Sequence, residues 1–230
     1  MVNNLSLLST LFEYPENYPA LFESNARKYF NGSDIHVLRY KKEIEGSRYD
    51  KLYYYKVPKL LEYLKSCTTL KEYILFLDAT DTNFYKDPTN MVDDFLKHEC
   101  KALFCGDPHI WPKTEATNLY DIKPKLSRYC YLNSGSYIGY TDYIIACLEK
   151  LTHDRPYDSI DDQGNWTYLY IHDHNEEIKV DQDRSIFFST LEAKADITQE
   201  NDRFIVKQSP YIVHDNGPST PDTIKIAKEL

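Results

Sequence analysis

At 230 residues with 42% hydrophobic content, the chain can bury one core and needs no second domain, so residues 1–230 are read as a single α/β domain. A net charge of −9 without an offsetting Lys/Arg cluster argues against a nucleic-acid partner. No run reaches transmembrane length, and the start MVNNLSLLSTLF lacks the basic flank and long apolar centre of a signal peptide, so no membrane partner and a cytoplasmic location are expected.

In chain order, Leu5–Leu11 reads as a first strand. Pro19–Phe30 reads as a helix with Pro in its first turn and Leu21, Phe22, Ala26 and Phe30 on one side. Ile35–Leu38 is a second strand. Over Lys56–Leu64, apolar Val57, Leu60, Leu61 and Leu64 recur at helical spacing. Tyr73–Leu77 is apolar throughout, the pattern of a central strand covered on both faces in a mostly parallel sheet.

That strand ends in two carboxylates, Asp78 and Asp81. In such sheets the ligand crevice lies beyond the carboxyl ends of the strands. Two hard oxygen donors so close together repel each other unless a cation or proton relieves them. A divalent metal bridging to a diphosphate is one reading; an Asp-rich turn is the other, since Asp87-Pro88 just downstream is itself a helix-start signal.

Met91–Lys97 reads as a helix, Lys101–Cys105 and Ile138–Tyr140 as strands, and Tyr143–Leu151 as a helix. Strands and helices thus alternate at the spacing of βα units, with no repeat or linker between them. The five cysteines, Cys67, Cys100, Cys105, Cys130 and Cys147, contain no CxxC pair and are expected to be buried thiols. No GxGxxG or Walker A loop occurs, so a bound phosphate would need a metal in place of a glycine cradle.

Near the C-terminus, apolar Tyr211, Ile212 and Val213 deliver His214 into the turn Asp215-Asn216-Gly217-Pro218. One imidazole joined to two carboxylates suits manganese, although a single His after a strand is also an ordinary capped structural residue. The triplet His172, Asp173, His174 imitates a metal site, but Asn175, Glu176 and Glu177 follow at once and mark a polar surface loop.

The ordered blocks DATD, HIWP, YLNSGSYIGY, DDQ and IVHDNGP resemble the glycosyltransferase domain of the multifunctional procollagen lysyl hydroxylases and its freestanding relatives, giant-virus ones among them. The resemblance runs from about Leu5 to Thr220. It implies a GT-A type fold, whose Rossmann-like half binds a UDP-sugar while the rest receives the acceptor.

Carried over residue by residue, Asp78, Asp81 and His214 match the family's ligands for Mn²⁺, held against the two phosphates of UDP. Gly217 matches a close approach of backbone to diphosphate, with Asn216 beside it, and Lys56 lies in the segment flanking the nucleotide. Asp161 and Asp162 match the acidic run beside sugar and acceptor, while Asn133 and Trp111 match residues lining the sugar pocket. Read without the family, Trp111 is equally a core aromatic, Asn133 the side chain of a tight NSG turn, and Asp161-Asp162 a solvated helix start.

The chain departs from the family in having Ala79 and Thr80 where an aromatic commonly stands between the metal carboxylates. It also has Thr220 where a Lys follows the NGP turn, so a nearby Tyr and Lys225 would have to substitute.

The implied activity is Mn²⁺-dependent transfer of glucose from UDP-glucose to galactosylhydroxylysine in a collagen-like chain, with retention at the anomeric carbon. Asp161 and Asp162 would then orient the acceptor and stabilise positive character on the sugar. Three alternatives stay open: transfer from UDP-galactose to hydroxylysine itself, hydrolysis of a nucleotide sugar at the same metal, or non-catalytic binding of collagen-like chains. The iron-binding hydroxylase domain is absent from this sequence, so no 2-oxoglutarate chemistry is expected. The 21 tyrosines, with frequent Lys, Ile and Asn, suit an AT-rich coding genome such as that of a giant virus. Assembly into a homo-oligomer stays open.

Overall fold

The computed structural model describes residues 2–12, 20–40, 48–113, 120–154, 161–173, 176–200 and 203–216. Its centre is a six-stranded sheet made of β1 (Leu5–Phe12), β2 (Ile35–Tyr40), β3 (Tyr73–Leu77), β5 (Ala102–Asp107), β6 (Tyr131–Tyr140) and β7 (Ile178–Asp181). The spatial order is β2-β1-β3-β6-β5-β7. β1 pairs in parallel with β2 and β3, and β5 with β7; β6 runs antiparallel between β3 and β5.

The five apolar residues of β3 are all buried because helices cover both faces. Ile74 and Phe76 point to one side, where α2 (Arg48–Lys56), α3 (Pro58–Ser66), α5 (Thr141–Asp154) and α6 (Asp162–His172) supply Tyr53, Leu60, Leu148 and Trp166. Tyr73, Leu75 and Leu77 point to the other, against Phe22 and Ala26 of α1 (Ala20–Ala26), Phe30 beyond it, and Met91 and Phe95 of α4 (Met91–Leu96). The period-2 alternation is thus preserved inside an unbroken apolar run.

Two smaller pieces complete the sheets among the described residues. β4 (Thr82–Phe84), β11 (Ile212–His214) and β8 (Phe187–Ser189) form a sheet with β11 central, antiparallel to β4 and parallel to β8. β9 (Ile197–Glu200) and β10 (Arg203–Val206) form an antiparallel ribbon.

Several elements differ from the sequence expectation. The first helix is shorter than Pro19–Phe30, spanning Ala20–Ala26, with Phe22, Ala26 and Phe30 all buried. The Lys56–Leu64 helix is two helices divided at Val57, with Pro58 opening the second, so Lys56 ends α2 instead of starting a helix. The strand expected over Ile138–Tyr140 begins at Tyr131, and the NSG triplet is not a tight turn. Asn133, Ser134 and Ser136 lie in a buried strand whose pairing to β5 shifts between Phe104 and Cys105. His172 closes α6, its Nδ1 2.9 Å from the Tyr168 carbonyl, instead of lying in a loop; His174 falls outside the described residues. All five cysteines are free; four are buried, while Cys67 is half-buried. Among the described residues no helix is long and apolar enough to cross a membrane.

Candidate active site

The site lies where the central sheet meets the three-stranded sheet. β3 stops at Leu77 and the chain turns, the Asp78 N–H donating to the Gly135 carbonyl at 2.8 Å and the Thr82 hydroxyl to the Asp78 carbonyl at 2.6 Å. That turn carries Asp81 directly into β4. β11 pairs with β4 so that His214 stands opposite Thr82, and the Asp215 N–H donates to the Asp81 carbonyl at 2.7 Å. Strand register therefore places a residue 133 positions distant beside Asp81. His214 Nε2 lies 3.6 Å from Asp81 Oδ1, too long for a hydrogen bond.

One potential ligand atom from each of Asp78, Asp81 and His214 lies within 4.8 Å of the others. Asp81 Oδ1 and His214 Nδ1 are buried and have no hydrogen-bond partner. Buried polar atoms are otherwise almost always paired. Gly135 leaves room for the group: a Cβ there would sit 2.4 Å from His214 Cε1 and 2.9 Å from Asp78 Oδ2. Two carboxylates and an imidazole, two of their atoms orphaned, fit a divalent cation such as Mn²⁺.

Lys56 brings a positive charge to these carboxylates. Its buried Nζ lies 2.7 and 2.8 Å from the two Asp78 oxygens and 3.8 Å from Asp162 Oδ2. Burial alone would lower the pKa of Lys56, but Asp162 and Asp78 outweigh it and raise the value. Burial pushes the Asp78 carboxyl above its ordinary range, with Lys56 pulling the other way and Asp81 adding to the rise. For His214, burial favours the neutral ring, yet the carboxylates of Asp81, Asp78 and Asp107 leave its pKa raised overall.

The second carboxylate pair opens α6. Asp161 is the N-cap, its Oδ1 accepting from the Gly164 N–H at 2.9 Å, and its Oδ2 accepts from Trp111 Nε1 at 3.0 Å. Asp162 Oδ2 accepts from the Ser134 hydroxyl at 2.7 Å. This is a helix start, but not a solvated one: both residues are buried, and burial raises both carboxyls above their usual range. Trp111 is not a core aromatic, since 52% of it is exposed. Its indole is pinned at the rim by Asp161 and by Gln163 Nε2, which donates to the Trp111 carbonyl at 2.9 Å.

Asn133 Oδ1 accepts from the Gly135 N–H at 2.8 Å, and its amide donates to Asp107 Oδ2 at 3.2 Å. The Asn216 amide also donates to Asp107 Oδ2, and Asn216 Oδ1 accepts from the Ser189 hydroxyl at 2.6 Å. Asp107, missed in the sequence, thus ties β5, β6, β8 and the segment after β11 together. Its signal resembles that of Asp78: a carboxylate released at the end of a buried run, Ala102–Cys105.

The structure therefore gathers Lys56, Asp78, Asp81, Asp162 and His214 around one centre, with Asn133 and Asn216 joined through Asp107 and Trp111 joined to Asp161. Gly217, Thr220 and Lys225 lie outside the described residues.

A family model described as "PLOD GT domain" matches residues 16–226. The multifunctional procollagen lysine hydroxylase and glycosyltransferase of Caenorhabditis elegans is 31% identical over 159 residues, 64% of this chain and 21% of the relative. Procollagen-lysine,2-oxoglutarate 5-dioxygenase 2 of Mus musculus is 30% identical over 156 residues, 64% of this chain and 20% of its own. The match thus spans about one fifth of these relatives. An uncharacterized protein of Acanthamoeba polyphaga mimivirus is 27% identical over 129 residues, 54% of this chain and 26% of that protein.

Among solved structures, a glycosyltransferase involved in glycosylation of the major capsid of PBCV-1 superposes with a TM-score of 0.61 at 11% identity, covering 99% of this chain and 100% of that one. Mouse xyloside xylosyltransferase 1 gives a TM-score of 0.54 at 12% identity, covering 94% and 99%. The fold is accordingly of the GT-A type.

Proposed function

The chain belongs to the PLOD GT domain family, and from that premise we propose that it transfers glucose from UDP-glucose to galactosylhydroxylysine of a collagen-like acceptor, with retention, in a reaction that needs Mn²⁺. The observation that carries a metal-dependent transfer is the convergence of Asp78, Asp81 and His214 at the carboxyl end of β3, with two of their buried atoms orphaned. A divalent cation bound there would neutralise charge developing on the departing nucleoside diphosphate, as a Lewis acid does.

The chain's own residues divide the remaining work. Lys56, between Asp78 and Asp162, would supply the ammonium beside the diphosphate. Asp161 and Asp162, fixed by Gly164, Trp111 and Ser134, hold carboxyl oxygens toward the sugar and acceptor, where they orient hydroxyls and favour positive character on the ring. The exposed indole of Trp111 offers an apolar face on which a pyranose C–H edge can pack. The choice of glucose and galactosylhydroxylysine rests on the resemblance of the site motifs to that family, and the names of the relatives support a collagen acceptor.

The test is UDP release by the purified protein with Mn²⁺, comparing UDP-glucose and UDP-galactose, each alone, with hydroxylysine and with galactosylhydroxylysine. Release that rises only with UDP-glucose and galactosylhydroxylysine is the expected result. Acceptor-independent release would replace the proposal with hydrolysis, and a response to UDP-galactose and hydroxylysine would move it to the preceding glycosylation.

A further inference from the structure

We propose that His98, Asp181 and Asp183, with the hydroxyl of Ser185 beside them, form a second divalent-cation site of the zinc type, at the opposite end of the strand order from β2 and independent of the transferase centre. β7 is the outer strand of the sheet and ends at Asp181; the chain then turns through Asp183 and returns past Ser185, while His98 comes from the turn after α4. One potential ligand atom from each of the three residues lies within 4.8 Å of the others. Ser185 Oγ hydrogen-bonds both His98 Nε2 and Asp181 Oδ1 at 3.2 Å, which adds a hydroxyl oxygen to the mixed N and O donors of the cluster. Imidazole with carboxylates is a donor set that Zn²⁺ accepts.

Three further observations point the same way. Asp181 is fully buried, yet among the described residues neither Asp181 nor Asp183 makes an ion pair; Lys179 donates to the His98 carbonyl at 2.8 Å, and Arg184 pairs with Asp196 at 2.9 Å. A buried carboxylate is normally paired with a cation or bound to a metal. Asp181 is also held as a ligand would be, because Oδ2 accepts from the Ile186 and Phe187 N–H groups at 2.8 and 2.7 Å, while Oδ1 accepts from the Ser185 N–H at 3.1 Å and the Ser185 hydroxyl that also meets His98. Finally, the cluster has an entry path: His98, Gln182 and Asp183 line a cleft of about 430 Å³ together with Lys123, Tyr170 and Lys179.

The experiment is equilibrium dialysis of the whole chain against Zn²⁺ with elemental analysis, on the wild type, Asp183→Asn, His98→Gln, Asp81→Asn and the Asp81→Asn/Asp183→Asn double variant. Asp183 is exposed, so its substitution leaves the core intact, and a cooperative thermal melt verifies each variant. The expected result is that Asp183→Asn and His98→Gln each weaken one bound ion by at least about tenfold, an ion that Asp81→Asn retains. If wild type and Asp183→Asn bind the same number of ions with the same affinity, the second site does not exist. Loss of an ion in Asp81→Asn alone would leave the transferase metal standing and overturn this one; loss in Asp183→Asn alone would do the reverse.

Discussion

The Lys56 ammonium lies 2.7 Å from Asp78 Oδ1 and 3.8 Å from Asp162 Oδ2, so one buried cation joins the carboxylate that ends β3 to the carboxylate that begins α6. Removing it by Lys56→Met leaves buried Asp162 and half-buried Asp78 without their shared cation. The expected loss is about 3–5 kcal/mol of stability at neutral pH, read by urea unfolding. Mn²⁺ should recover more stability in the variant than in the wild type, because the ion takes over the charge Lys56 supplied; equal recovery in both would separate Lys56 from the metal centre.

Gly135 permits the cluster by having no side chain. In Gly135→Ala the new Cβ would need the space of His214 Cε1, 2.4 Å away, and of Asp78 Oδ2, 2.9 Å away. Overpacking should cost about 1–3 kcal/mol and displace two of the three candidate ligands at once. Calorimetric titration with Mn²⁺ should show binding lost or severely weakened while the thermal melt stays cooperative.

Trp111 separates two roles that a single truncation would merge. Trp111→Phe keeps an aromatic face and deletes the N–H that Asp161 accepts, a change worth about 1 kcal/mol. Trp111→Ala deletes both. If the exposed face packs on sugar, kcat/KM should fall by about tenfold more in the Ala variant than in the Phe variant. Equal losses would assign the whole effect to Asp161.

Three buried carboxyls should each contribute less stability at neutral than at mildly acid pH when no metal is bound. Burial raises the carboxyls of Asp107, Asp161 and Asp162 in the folded state above the unfolded value of about 3.9. A raised folded pKa means the folded state holds protons that the unfolded chain has released. This contribution to stability is complete below the unfolded value and is lost as pH rises through the folded values, at up to about 1.4 kcal/mol per pH unit per group. Compared by urea midpoints in EDTA from pH 4.5 to 8, the stability of the wild type relative to Asp107→Asn should fall as pH rises; a difference that grows with pH would contradict the raised Asp107 value.

The parts of this site that were visible in the sequence share one cause. Tyr73–Leu77 is unmistakable because burial on both faces demands an unbroken apolar run, and Asp78 is conspicuous for ending it. Tyr211–Val213 announced His214 in the same way. β6 was legible only at its apolar end, because Asn133, Ser134 and Ser136 are buried by their place between two strands and not by their own hydrophobicity. α6 was hidden because its buried residues include polar Asn165 and Thr167 and so show no apolar stripe, and the split at Val57 by continuous helical spacing across Pro58. Asp107 and Gly135 act through neighbours distant in the chain, contacts that no local pattern encodes.

The most direct test of the central claim is a crystal of the chain with Mn²⁺ and UDP, measured by anomalous diffraction. The account requires a manganese peak bonded to Asp78, Asp81 and His214, with both UDP phosphates on the same ion and Lys56 moved off Asp78. UDP bound elsewhere, or a manganese peak that leaves any of the three side chains uncoordinated, would contradict it.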